Sequence, residues 1–250
     1  MVNLVVFSPT GTSLDVARTI GEVLSPEFEV VDLCEREGGE SAFGPDDTCV
    51  FSVPCYGGRI PKTAAERIAR VRGDGTPAIV CVTFGNRAFE DALLELADLV
   101  GERGFKVVAG CAAVTEHNIM HVFGAGRPDA SDREQLRGFA ADVAQKLADN
   151  DDSQSDIPGN RPYKTWGGMS VPIEFDAETC TDCGMCVRRC PVGAISKAAW
   201  PADQDACIAC MRCIHECPTG SRCFPKERLA GMVERLGPAC ESPKENAFFV

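Results

Sequence analysis

Two stretches near the C-terminal end constrain this chain more than anything else in it. "CTDCGMCVRRCP" occupies residues 180–191, and "CIACMRCIHECP" repeats its spacing at 207–218. Each reads C-x2-C-x2-C-x3-C-P. Three thiolates two residues apart can wrap one iron–sulfur cluster from a single tight loop. The fourth, set off by one more residue and followed by proline, starts away from that loop and ligates the neighbouring cluster. Crosswise ligation assigns Cys180, Cys183, Cys186 and Cys217 to one 4Fe–4S cluster, and Cys207, Cys210, Cys213 and Cys190 to the other. Gly184 suits a loop whose backbone N–H groups must approach cluster sulfides. Pairs of C-x2-C also make tetrahedral zinc sites, but those usually join two distant pairs. Two combs of four, each followed by proline, favour clusters. An all-thiolate 4Fe–4S centre accepts one electron, so the module reads as a one-electron relay.

Fifteen cysteines would suggest disulfides in a secreted chain. The N-terminus "MVNLVVFS" has no basic segment and breaks at Pro9, so no signal peptide is expected. Metal binding in a reducing compartment, the cytoplasm, is then the better reading. No run of 18 apolar residues is present, which predicts no membrane span. A net charge of −12 argues against nucleic acid as a partner, because phosphate binding needs a basic face. An acidic surface could steer a basic redox partner, although plain solubility explains it as well.

Up to residue 149 apolar runs alternate with helix-like patterns. Strands are predicted at 3–8, 28–34, 48–53, 78–84 and 106–114, and helices at 14–24, 63–71, 89–104 and 131–149. Near-continuous apolar strands imply a parallel sheet covered on both faces, here a doubly wound α/β domain with five strands. Residues 150–170 read as a polar linker, 171–224 as a small second domain holding both combs, and 225–250 as a helix and an apolar tail that packs back on the body.

"SPTGTS" at 8–13 follows the first strand and opens the first helix. Gly11 permits a sharp turn, and the hydroxyls of Ser8, Thr10, Thr12 and Ser13, with nearby N–H groups, can surround one phosphate at a helix N-terminus. There is no lysine for a Walker loop and no G-x-G-x-x-G. A hydroxyl-rich N-cap of purely structural use is the plainer alternative.

Here the chain resembles flavodoxin, whose FMN phosphate loop [ST]-x-T-G-x-[ST] is matched by Ser8, Thr10, Gly11 and Ser13. Two further loops follow strands, "VPCYGGRIP" (53–61) and "TFGNRAFED" (83–91). The resemblance implies that they carry the isoalloxazine ring, with Pro54, Tyr56 and Gly57 in the first loop and Phe84, Gly85, Asn86 and Phe89 in the second. Pro9 departs by lacking an N–H, and the first ring loop has no tryptophan. Cys55 beside the ring reads as a loop filler, while Cys34, Cys49, Cys81 and Cys111 read as small buried hydrophobes. Cys223 reads as a spare thiol, and Cys240 has no assignable role. Loop 115–130 is long, and its His117 and His121 could donate to a flavin oxygen or handle a substrate proton. His215, inside the second comb, reads as at most an influence on cluster potential.

Taken whole, the chain is similar to fused proteins of anaerobes that join a flavodoxin-like domain to a bacterial-type two-cluster ferredoxin. That resemblance implies FMN plus two 4Fe–4S clusters and electron transfer to or from a redox partner protein. The alternative is an FMN-dependent reductase of a small molecule with the clusters as electron inlet. A homodimer is compatible with either.

Overall fold

The computed structural model describes residues 1–165, 168–169, 171–197 and 201–250. Three positions of the expected linker, 166, 167 and 170, lie outside the described residues. The N-terminal apolar run forms β1 (Val2–Val6), buried at every position. The chain turns at Gly11 into α1 (Thr12–Leu24), then runs through β2 (Phe28–Asp32), a short β3 (Ser41–Phe43) and β4 (Thr48–Pro54). After α2 (Lys62–Ile68) come β5 (Val71–Gly73) and β6 (Thr76–Phe84). α3 (Ala92–Glu102), β7 (Phe105–Val114) and α4 (Ala130–Ala148) complete the first part.

Five of these strands pair in the order β7-β6-β4-β1-β2, all parallel. Counted along the chain, that is the flavodoxin-like order, with its switch between β1 and β4. α1 and α4 cover one face, where Val16, Ile20, Leu136 and Phe139 meet Leu4, Val50 and Ile79. On the other face α2 and α3 bring Ile68, Leu93, Leu96 and Val100 onto Phe51, Val80 and Val82. Strands buried on both sides need apolar residues at successive positions, which is why "AIVCVTF" shows no alternation. Each such Leu or Ile contributes ~1.5–3 kcal/mol on burial.

The second part holds β8 (Glu174–Phe175), α5 (Met185–Arg189), α6 (Arg212–His215), β9 (Arg222–Cys223) and α7 (Lys226–Cys240). β8 and β9 pair antiparallel. The repeat in sequence is a repeat in backbone. Left-handed conformations recur at matching places in the two combs: Asp182 and Ala209 (φ 53° each), Gly184 and Met211 (70° and 62°), Gly193 and Gly220 (68° and 66°).

β10 (Ala247–Phe249) returns to the first part and pairs antiparallel with β7, making a sixth strand beyond the five read from sequence. It covers an edge that would otherwise present unpaired backbone groups. Phe248 stacks on Phe139 at 5.1 Å between ring centroids, and the Asn246 side-chain Oδ1 accepts the Val114 N–H at 2.9 Å. A third apolar core joins the two parts. There Ile119, Met120 and Phe123 meet Ile173 and Met211 of the cysteine-rich segment and Leu229, Met232 and Leu236 of α7. Residues 150–165 run as a strap: Ile157 packs on Gly110, and Asp91 accepts the N–H groups of Asn160 (2.9 Å) and Lys164 (2.6 Å).

Candidate functional site

The carboxyl ends of β1 and β4 open at the switch, where sheets of this kind bind ligands. Gly11 stands at φ 90°, a backbone that glycine adopts without steric cost. The Ser8 hydroxyl accepts the Leu14 N–H at 3.0 Å and so caps α1. Ser13 departs from its expected phosphate role. It is 1% exposed, its hydroxyl bonds that of Thr83 at 2.8 Å, and its carbonyl accepts the Ser52 hydroxyl. A buried hydroxyl must find a partner, and β4 and β6 supply it. Thr10 and Thr12 remain for a ligand, and both line a cavity of about 530 Å³.

The far wall of that cavity comes from the second part, with Met211, Ile214 and Leu229 as apolar surface and His215 and Lys226 as bases. Neither base has an acidic ion-pair partner among the described residues, whereas His121 faces Glu116 and Arg127 pairs with Asp132. The loop at 8–13 has no basic side chain of its own, and packing brings Lys226 and the His215 imidazole to the cavity beside it. Neither was legible, because they lie more than 200 residues along the chain.

A second cavity of about 290 Å³ adjoins the first, and Asn118 and Ile119 line both. Cys55, Tyr56 and Gly57 form one side, and Ile208, Ala209, Met232 and Leu236 face them. Residues 56–59 close a tight turn, with Tyr56 N–H to Arg59 carbonyl at 2.8 Å and positive φ at Gly57 (63°) and Gly58 (91°). Burial pushes the Tyr56 phenol well above its ordinary value, and the neighbouring Cys210, Cys34 and Cys207 push the same way. Tyr56 therefore stands between this cavity and the second comb.

The other expected ring residues are turned elsewhere. Phe84 is 4% exposed and packs against Phe89 at 5.6 Å between centroids, in the core beneath α3. Asn86 is buried by the C-terminal segment: its amide donates to the carbonyls of Cys240 and Ser242 and its Oδ1 accepts the Lys244 N–H at 2.9 Å. Gly85 abuts His117, where a Cβ would stand 2.6 Å from the histidine Cβ. Pro54 ends β4 and lines neither cavity. At Gly85 and Asn86, loop 115–129 and the tail cover what the strand order alone would leave open. Their replacements on the cavity wall are Arg87, His117 and Lys164. Arg87 and Lys164 are both held by Glu90, at 2.9 and 2.6 Å.

His117 Nδ1 accepts the N–H groups of Ile119 (3.1 Å) and Met120 (3.2 Å). Burial chiefly, then His121 and Arg87, push its imidazole down to about 4. Cys55 lines the same cavity with its thiol pushed up to about 12 by burial, so it is an uncharged wall. The remaining cysteines are dispersed: Cys34, Cys49, Cys81 and Cys111 are buried, Cys223 is exposed, and Cys240 belongs to the joint core.

Among the eight comb cysteines, Cys190, Cys207, Cys210 and Cys213 together line one small cavity of about 20 Å³. The fourth cysteine of the first comb thus stands with three of the second. The Ala194 N–H points at the Cys190 sulfur at 3.3 Å, and the Cys210 thiol is pushed far up by burial. Arg222, 2% exposed, places its guanidinium over the Phe175 ring and beside Cys213. A buried cation there offsets the negative charge that four thiolates would carry. Cys180, Cys183, Cys186 and Cys217 are less covered, and Cys183 is exposed. The Asp182 N–H lies 3.4 Å from the Cys180 sulfur. Among the described residues no three His, Cys, Asp or Glu gather as one metal ion would require. A multi-iron cluster spreads its thiolates round a larger volume than a single zinc does.

Residues 173–196 and 201–222, one comb in each, match the 4Fe–4S binding domain family. No curated protein matches the chain. Among solved structures, a flavodoxin from Streptococcus pneumoniae TIGR4 is similar at 18% identity, over 58% of this chain and 98% of that one, with a TM-score of 0.40. Flavodoxin 2 from Bacillus cereus is similar at 16%, over 58% and 98%, with a TM-score of 0.43. Rubredoxin oxygen:oxidoreductase from Desulfovibrio gigas is similar at 14%, over 59% and 36%, with a TM-score of 0.41. The fold assignment stands on the strand order. No helix among the described residues is long and apolar enough to cross a membrane. By its strand order and its matched segments, the chain joins a flavodoxin-like sheet to a 4Fe–4S binding segment of the ferredoxin type.

Proposed function

We propose that the chain is an electron-transfer protein that holds FMN in the cleft between its two parts and two 4Fe–4S clusters on its combs, exchanging electrons with a redox partner protein. The observation that carries this reading is the second cavity, where Tyr56 and Gly57 of the sheet face Ile208 and Ala209 of the second comb. A ring seated there lies against one cysteine cage, so transfer within the chain needs no diffusional encounter. When bound, FMN supplies one- or two-electron chemistry and each cluster a one-electron site. In this reading Thr10, Thr12 and the first N–H groups of α1 hold the phosphate, with Lys226 adding positive charge and His215 a ring nitrogen from the other side. Cys190, Cys207, Cys210 and Cys213 hold the inner cluster, and Cys180, Cys183, Cys186 and Cys217 the outer one.

One observation favours a second reading, the FMN-dependent reductase. Loop 115–130 lines both cavities, contributing His117 to one and His121 to the other, as a substrate pocket beside the flavin would require. Anaerobic isolation with iron, sulfide and flavin assays tests the first reading. About eight irons and one FMN per chain are expected; a chain with iron and no affinity for FMN would overturn it. Turnover of a small-molecule acceptor by the reduced protein, without a partner protein, would favour the second reading.

A further inference from the structure

We infer that His117 is a fixed hydrogen-bond donor to the flavin ring, presenting its Nε2–H to a carbonyl oxygen of the ring. The assignment rests on the FMN reading above. An imidazole nitrogen that accepts hydrogen bonds carries no proton, so the two N–H groups donated by Ile119 and Met120 to Nδ1 place the proton on Nε2. The side chain lines the cavity formed with Cys55, Tyr56 and Gly57. Nε2 has no protein acceptor among the described residues, and a donor in a largely covered site costs free energy until it finds one.

The seat of the imidazole is built from both directions. Gly85 leaves room for it, because a Cβ there would meet His117 Cβ, Cα and Cδ2 at 2.6 to 2.7 Å. The loop behind it is closed by the His117 N–H to the Phe123 carbonyl at 3.0 Å and the Glu116 N–H to the Arg127 carbonyl at 2.9 Å. The charged groups round it oppose a second proton: Arg87 stands on the β6 loop and His121 on its own loop. Lys164, from the strap, lines the same cavity, and Cys55 and Tyr56 face it as uncharged groups. The ring therefore stays neutral and keeps one tautomer. A reduced flavin is richer in electrons than an oxidised one, so a fixed donor holds the reduced form more tightly. His117 acts as a potential-setting residue.

Two variants of the full, cluster-loaded chain separate this role from support of the loop. In His117→Asn the amide reaches the Nδ1 position, where it can still accept from Ile119 and Met120, but no donor reaches the Nε2 position. In His117→Gln the amide reaches the Nε2 position. With iron content equal to wild type, His117→Asn is expected to bind reduced FMN about tenfold more weakly relative to oxidised FMN, the loss of roughly one hydrogen bond. For a two-electron couple that is about 30 mV towards more negative potential. His117→Gln is expected to recover most of the shift. Equal potentials in wild type and His117→Asn overturn the assignment, as does a loss in which Gln fares no better than Asn. A wild-type chain that binds no flavin overturns the FMN reading itself and this assignment with it, a different result from a bound flavin indifferent to residue 117.

Discussion

The two cysteine combs share their spacing and their left-handed backbone positions, yet the four cysteines gathered round the second comb are more deeply covered than the other four. Cys190 and Cys210 are buried, and the second comb continues into the core that joins the two parts through Ala209 and Met211. Around the first comb Glu174, Asp176, Glu178 and Asp182 are all exposed, as is Cys183. Spacing decides which thiols can meet, while the surface packed outside a cage decides how much water reaches it. Solvent exposure and hydrogen bonds to sulfur are two of the levers on cluster potential. Two centres with one sequence motif therefore need not behave alike.

The largest test of that contrast removes one ligand from each cage. Cys210→Ser and Cys183→Ser should each lower the iron content from about eight to about four per chain. Only the first should also loosen the joint, with a melting temperature about 5–10 °C below that of Cys183→Ser, or about 2–3 kcal/mol. Equal melting temperatures would show that the inner cage supports the joint no more than the outer one.

Next comes thiol reactivity after iron removal. Burial pushes Cys217 up, but hydrogen bonds from Thr219, Arg222 and Ser221 outweigh it and bring the thiol down to about 7. Burial raises Cys213 to about 12. Since the thiolate is the nucleophile, iodoacetamide at pH 7.5 should label Cys217 at least about 100-fold faster than Cys213, as read by peptide mass spectrometry. Comparable rates would mean that the iron-free inner cage opens to solvent.

A smaller effect concerns matched backbone positions. Met211 holds φ 62° with its side chain 4% exposed in the joint, whereas its counterpart Gly184 holds φ 70° at a partly exposed site. Met211→Gly relieves about 1 kcal/mol of strain but loses about 2–4 kcal/mol of packing. The net loss should be about 1–3 kcal/mol by denaturant titration. Stabilisation would show that the methionine adds nothing to the joint.

The last test is the pH response of the joint at His117. Its imidazole is held down to about 4 in the folded chain, so between that value and the ordinary 6.5 the unfolded chain binds a proton that the folded one refuses. This stabilisation is complete above about pH 6.5 and is lost as pH falls towards 4. His117→Gln should flatten that part of the stability profile, and an unchanged slope would assign it to other groups.

Much of the site was legible where its parts are close in sequence. The strands read at 48–53 and 106–114 from apolar runs form as Thr48–Pro54 and Phe105–Val114, and the turn at Gly11 followed from its place between strand and helix. Phe84, Phe89 and Asn86 misled because their position at the end of β6 is right for a ring, while their side chains are claimed by α3 and by the tail. Nothing near residue 86 announces that residues 240–244 will arrive there. His215 and Lys226 were missed for the same reason, since the cavity they share with Thr10 and Thr12 forms only when the two parts close.

By itself, then, the sequence determined the two cysteine combs, the glycine turn after β1 and the doubly wound sheet, because each follows from thiol spacing, glycine geometry or apolar periodicity over a few residues. Tertiary structure alone decided how deeply the second comb is covered and which residues line the cleft. Those depend on burial, and burial is set by segments 100 residues or more apart whose meeting no local pattern encodes.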